Sequence, residues 1–147
     1  MEKNNGNQVL KLTKNICTVL AAVLAALCLT ACGSAQLAED FDEGTVKEMG
    51  QKAVDCLIAG EYEECVAMMD ATMQAAVSAE VLASNVEAVK EKNGAFREYK
   101  STAVVGQKDA EGEDCAVAVI VADFENGKVT CTVSFNKGME VIGLWMK

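Results

Sequence analysis

The sequence contains no histidine. That absence removes the usual general base near neutral pH, the serine–histidine and cysteine–histidine nucleophile pairs and the imidazole ligands of most catalytic zinc sites. Basic residues are scarce as well: 13 Lys and Arg stand against 22 Asp and Glu. Nucleic acid is a poor partner for such a surface, because phosphate binding needs basic clusters. Long apolar runs are nearly missing too. One stretch, ICTVLAAVLAALCLTA at residues 16–31, carries no charge and only two hydroxyls. It falls short of the roughly 20 apolar residues that cross a bilayer.

That run nevertheless has a context. Lys3, Lys11 and Lys14 precede it against one acid, Glu2, which is the charge pattern of a secretory signal. Its last residues, Leu29-Thr30-Ala31-Cys32, resemble the lipobox of bacterial lipoproteins. Small side chains let the backbone lie extended in the peptidase groove, and the cysteine sulfur takes the diacylglycerol. An uncleaved anchor with an incidental cysteine fits less well at this length. A buried core helix fits least, since nothing nearby offers a polar face. The resemblance implies cleavage between Ala31 and Cys32, lipid on Cys32, and an anchored protein on the extracytoplasmic face of the cell membrane. Two or three acyl chains at about 0.8 kcal/mol per methylene hold such an anchor firmly.

From Cys32 onward 116 residues remain, enough for one domain, with 10 basic against 21 acidic residues and a net charge of −11. Residues 32–40 read as a short lipidated tether and 41–147 as the domain. Val46, Met49, Ala53 and Cys56/Leu57 recur at helical spacing, which predicts a helix over 41–59 with Gly60 as its stop. A second helix is predicted over 62–76, with Cys65, Val66, Met69 and Met73 on one face. Ser78 caps a third, which carries Leu82, Val86 and Val89 inward and ends at Asn93-Gly94.

After Phe96 the period changes to two. Strands are predicted over 98–106, 115–125, 128–136 and 139–146, with hairpin turns at Asn126-Gly127 and Lys137-Gly138. One face then collects Ala118, Ile120, Ala122, Phe124, Val129, Cys131, Val133, Phe135, Ile142, Leu144 and Met146. The other is mixed, with Val117, Val119, Val121, Thr130, Thr132, Ser134, Val141 and Trp145, and suits a half-wet face or a homodimer contact. The class is α+β: three N-terminal helices packed on a four-stranded antiparallel meander.

Cys56 and Cys65 lie equidistant from the Gly60-Glu61 turn, so a helix hairpin makes them a candidate disulfide, with two buried free thiols as the alternative. Cys115 and Cys131 fall on opposite sheet faces and are not expected to bond. The acids Asp109, Glu111, Glu113 and Asp114 surround Gly112, but the sixth position lacks glycine and the twelfth, Ile120, is apolar. A solvated turn is expected there, not a calcium loop. No metal or cofactor is implied.

The segments AGEYEECVAMMDATM, SAEVLASNV, NGAFREY and VTCTVSFNKGMEVIGLWM, in that order and spacing, resemble an uncharacterised bacterial domain. It is found on lipoproteins of Gram-positive bacteria and ahead of some α/β-hydrolases. Its cone-shaped fold is that of nuclear transport factor two and ketosteroid isomerase. The chain departs from the family in lacking a tryptophan within ASNVEAV. The resemblance implies a pocket between helices and sheet, lined by Met69, Met73, Phe96, Phe124, Cys131, Phe135 and Leu144. Binding of a small molecule or a protein is the expected function. The alternatives are an isomerase- or hydrolase-like enzyme using Asp70 or Glu140 as a carboxylate base, with Tyr62 near the pocket mouth, and a passive dimerisation or spacer module.

Overall fold

The computed structural model describes residues 36–147. The expected signal, the cleavage point at Ala31 and the lipid-bearing Cys32 lie outside the described residues. Helix α1 spans Glu43–Ala59. It starts because the Asp42 carboxylate accepts from the Thr45 N–H at 2.8 Å, a bond that also holds the Asp42 carboxyl below its ordinary range. It stops where Gly60 turns left-handed at φ 83° and Glu61 N–H reaches back to the Cys56 carbonyl at 2.8 Å. Its buried stripe is Val46, Gly50, Ala53, Val54, Cys56 and Leu57. Gly50 sets the approach to the sheet, since a Cβ there would meet the Ala118 Cβ at 2.5 Å.

The predicted second helix is two: α2, Tyr62–Ala67, and α3, Ala71–Ala76. Between them the chain leaves the helical path to pair with the start of the last strand. Asp70 N–H donates to the Val141 carbonyl at 3.0 Å, and Val141 N–H donates to the Met68 carbonyl at 2.8 Å. Met69 is buried at this junction, and the Asp70 carboxylate restarts the helix by accepting from Met73 N–H at 2.8 Å. Helix α4, Ala79–Asn93, follows its Ser78 cap as expected, with Leu82 and Val86 buried. Val89 is half-buried against the core.

The sheet is an antiparallel meander in the order β1-β2-β3-β4, made of Phe96–Lys108, Asp114–Phe124, Gly127–Phe135 and Val141–Met146. The β2–β3 turn falls on Glu125-Asn126, one residue before the predicted pair, with Gly127 opposite Phe124. The end of α4 selects this placement: Asn126 N–H donates to the Asn93 carbonyl at 2.8 Å and Glu125 N–H to the Ala95 carbonyl at 3.0 Å. The β3–β4 connection is longer than predicted. Its positive φ (60°) falls on Met139, not Gly138, and β4 begins at Val141. A register shift opposite Phe135 then brings Val141, instead of Ile142, into the core. From Ala118 through Phe124 and from Val129 through Phe135 the burial pattern alternates as expected, whereas Val117, assigned to the half-wet face, is buried.

The chain joins this core at Leu37 and Ala38, four residues before the expected domain start. Asp40 pairs with Lys137 at 3.0 Å, so the entry point lies at the end of the sheet that carries the β1–β2 and β3–β4 loops. Among the described residues, no helix is long and apolar enough to cross a membrane.

Candidate binding groove

Beyond Val141, which also pairs with the Met68–Asp70 segment, the last strand pairs with β3 alone, and its other side faces a groove of about 450 Å³ beneath α4. The helix wall is Leu82, Asn85, Val86, Val89, Lys92 and Asn93, positions that recur at the helical period. The strand wall is Leu144, Trp145, Met146 and Lys147, with Leu57 of α1 between the two. The groove is lined by apolar side chains of both walls, interrupted on the helix wall by Asn85 and Asn93. Its charged side chains are Lys92 and Lys147, at the end near the β2–β3 turn. No ion pair among the described residues engages either lysine.

The strand's backbone bonding is fixed by its last residue. Thr130 and Lys147 exchange both backbone hydrogen bonds, at 2.7 and 3.1 Å. Bonded and non-bonded pairs alternate in an antiparallel ladder. The next pair, Cys131 with Met146, is therefore of the open kind, and so is Val133 with Leu144. The N–H and C=O groups of Leu144 and Met146 point away from the sheet, along the groove side.

The expected pocket residues fall elsewhere. Met69, Phe124, Cys131 and Phe135 are at most 3% exposed and belong to the core cluster. Met73 and Phe96 pack against that cluster, Phe96 with its ring centroid 5.0 Å from that of Tyr99 and 5.8 Å from that of Phe124. Leu144 alone of the seven lines the groove. Sequence reasoning missed Lys92, Val86 and Met146 as wall residues. The available signal was topological: the last strand of a meander must be an edge.

The candidate carboxylates are engaged locally. Asp70 caps α3. Glu140 is exposed and accepts from Asn136 Nδ2 at 2.9 Å within the β3–β4 loop. Asp70 also borders an open acidic cleft with Asp109, Glu111, Glu113, Asp114 and Lys137. There Asp109 is occupied by the N–H groups of Glu111 and Glu113, both at 2.9 Å, and Asp114 by Lys108 at 2.7 Å. Tyr62 is half-buried against the core. Tyr99, a residue the sequence did not single out, ties β1 to α1 by donating to Asp55 at 2.5 Å. Burial, and then the Asp55 carboxylate, push its phenol pKa up.

The considered Cys56–Cys65 bridge is not formed, and Cys56, Cys65, Cys115 and Cys131 are all free. Cys65 lies with its Sγ 4.0 Å from the Ala53 carbonyl. Burial raises its pKa to about 11, as it does for Cys131. The Cys56 Sγ and carboxylate oxygens of Glu61 and Glu64 lie within 4.8 Å of one another, a cluster the sequence reading did not foresee. Burial and these two acids hold the Cys56 thiol protonated, and three donors are one short of a closed structural site.

This architecture, helices first and a four-stranded antiparallel meander after, with a groove at its free edge, defines an α+β domain of about a hundred residues. The chain belongs to the family described as "Protein of unknown function (DUF3887)", whose profile matches residues 50–144. It is similar in fold to the protein described as "NMR structure of protein from Ruminococcus gnavus ATCC 29149". The two are 22% identical and superpose with a TM-score of 0.64 over 76% of this chain and 96% of that one. Curated proteins give no match.

Proposed function

We propose that the chain is a non-enzymatic bacterial surface lipoprotein, anchored through Cys32, whose cone-shaped, nuclear-transport-factor-two-like domain binds a small ligand or a partner protein in the groove between α4 and β4. The observation that carries the binding reading is the groove itself: a partly apolar channel of about 450 Å³ at the edge of the sheet. That volume falls within the range of small-molecule sites. The anchor reading rests on the Leu29-Thr30-Ala31-Cys32 sequence behind its basic flank. A base at Asp70 or Glu140 is disfavoured because the Asp70 carboxylate caps α3 and the exposed Glu140 carboxylate is held by the Asn136 side-chain amide.

The entry point of the domain lies beside Lys137, whereas the lysines of the groove lie near the β2–β3 turn, at the opposite end of the strands. A second reading, a homodimer through the outer sheet face, draws on Trp145, which is 60% exposed there.

The test is native mass spectrometry of the full chain, extracted from its membrane in gentle detergent. The lipoprotein reading expects loss of residues 1–31 and a diacylglycerol mass that Cys32→Ala abolishes. An intact N-terminus with no lipid overturns it. Extra mass that dissociates on denaturation supports a bound ligand, and a bare dimer moves the assignment to the sheet face.

A further inference from the structure

The groove has a property that a plain apolar pocket lacks: one of its walls is an unpaired strand. We propose that the free edge of β4 takes up an extended peptide from a partner protein as a fifth strand, with apolar side chains lodged under α4 and a carboxylate meeting Lys92. This rests on the groove being the binding site and names the chemistry of what enters it.

Three observations carry the proposal. Leu144 and Met146 each present an N–H and a C=O on the open side, enough for four ladder bonds to a peptide of about five residues. Alternate residues of an added strand project to the same face. One set then meets Leu82, Val86 and Val89 on the helix wall. The charge also selects. In a chain with nine more acids than bases, the charged side chains lining this groove are Lys92 and Lys147, both positive and outside any ion pair among the described residues. An acidic residue flanking an apolar alternation complements that end, and a basic one is repelled.

The edge is bare in this stretch alone. At its start, Val141 is already paired with the Met68–Asp70 segment, which leaves a defined slot and not an open-ended template. The slot's length limits the peptide to the register of Leu144 and Met146. The chain's own N-terminal entry, at Asp40 beside Lys137, lies at the other end of the sheet. A second copy would offer its own Val141–Lys147 edge, a stretch with no carboxylate side chain to meet Lys92. A partner segment is thus the favoured occupant.

The experiment uses the full chain in lipid nanodiscs and a pool of acetylated heptapeptides that begin with aspartate and alternate Val, Ile or Leu with Thr. Amide hydrogen exchange is followed residue by residue. The expected result is at least tenfold slower exchange at Leu144 and Met146. A pool beginning with lysine should bind at least fivefold more weakly, and the exposed substitution Lys92→Glu should reverse that preference. Protection without any dependence on the first residue overturns the carboxylate assignment. Groove methyls of Leu82 and Val86 that shift while the two amides stay unprotected overturn strand addition and leave the groove standing as a pocket. No change at either overturns the peptide proposal, and the native mass measurement decides the groove separately. Protection of the two amides that rises with protein concentration in the absence of peptide assigns the edge to a second copy and overturns the partner assignment.

Discussion

The two edges of the sheet are built on different principles. The β1 edge is long and polar, with Arg97, Glu98, Lys100 and Ser101 exposed and two register shifts in its first half. Lys100 is held by Glu98 and, at 3.8 Å, by Asp123. Bulges and edge charges are the devices by which sheets refuse a further strand. The β4 edge carries no charge between Val141 and Met146, and its single register shift falls between Val141 and Gly143, before Leu144. It is pinned at its first residue by the α2–α3 junction and open thereafter. One edge is closed by chemistry along its length, the other by a single contact at one end. The bare stretch of β4 inside the groove is where the proposed pairing would take place.

The largest expected effect separates these edges by pH. Cys65 lies behind the pinned end of β4, near the junction, and Cys131 lies opposite Met146 at the open end. An ordinary thiol ionises near 9.0, whereas each of these holds its proton to about 11. Between those values the unfolded chain has released protons that the folded chain keeps. Folding stability is therefore whole below pH 9 and falls as pH rises toward 11. The loss amounts to ~2–3 kcal/mol for each thiol, at about 1.4 kcal/mol per pH unit. Urea unfolding at pH 8, 9, 10 and 11 should show the decline, and Cys131→Val should remove that thiol's share, with Cys65, Tyr99, Cys56 and Cys115 carrying the rest. Stability that stays flat to pH 11 would mean that neither thiol is shielded from water.

The pinned end supplies the next test. Met69 is 2% exposed, and its backbone neighbours make the bonds to Val141. Met69→Ala removes buried volume and should cost ~2–4 kcal/mol. The loss should appear first as faster exchange at Val141 N–H, with the β1 amides unaffected under native conditions. Equal acceleration at both edges would show that the junction does not hold β4 independently of the rest.

These same places mark where the sequence could be read and where it could not. Asp42, Gly60 and Ser78 signal their helix ends through local hydrogen bonding, and the inward faces of β2 and β3 follow from alternation alone. The break at Met68–Asp70 needs Val141, more than seventy residues away, and so was hidden inside a good helical pattern. An aspartate three residues before Met73 was the local hint of a new cap. The β2–β3 turn shifted for a similar reason. Bonds from Asn93 and Ala95 outweighed the preference of Asn126-Gly127 for the turn centre. The groove was the least legible feature. It is a gap between α4 and β4, and no periodicity records how far apart two elements come to rest. The resemblance pointed instead to a pocket between helices and sheet, but Met69, Phe124, Cys131 and Phe135 are buried in the core cluster.

The smallest expected effect is the one that tests the guarded edge directly. Lys100 is exposed, and its pairing with Glu98 and Asp123 is of the surface kind, worth well under about 1 kcal/mol. Lys100→Val should therefore leave the unfolding midpoint within ~0.5 kcal/mol of the parent. If charge is what closes β1, the variant should self-associate at concentrations where the parent does not, as read by sedimentation velocity. Strand amides near residues 99–101 should gain protection as it does so. If the variant remains dispersed, the two register shifts alone are enough to spoil the template, because a bulged strand cannot offer evenly spaced donors and acceptors. Either result bears on β4. That strand's register shift lies opposite Phe135, before the open stretch, so Leu144 to Met146 keep regular pairing and lack both forms of protection.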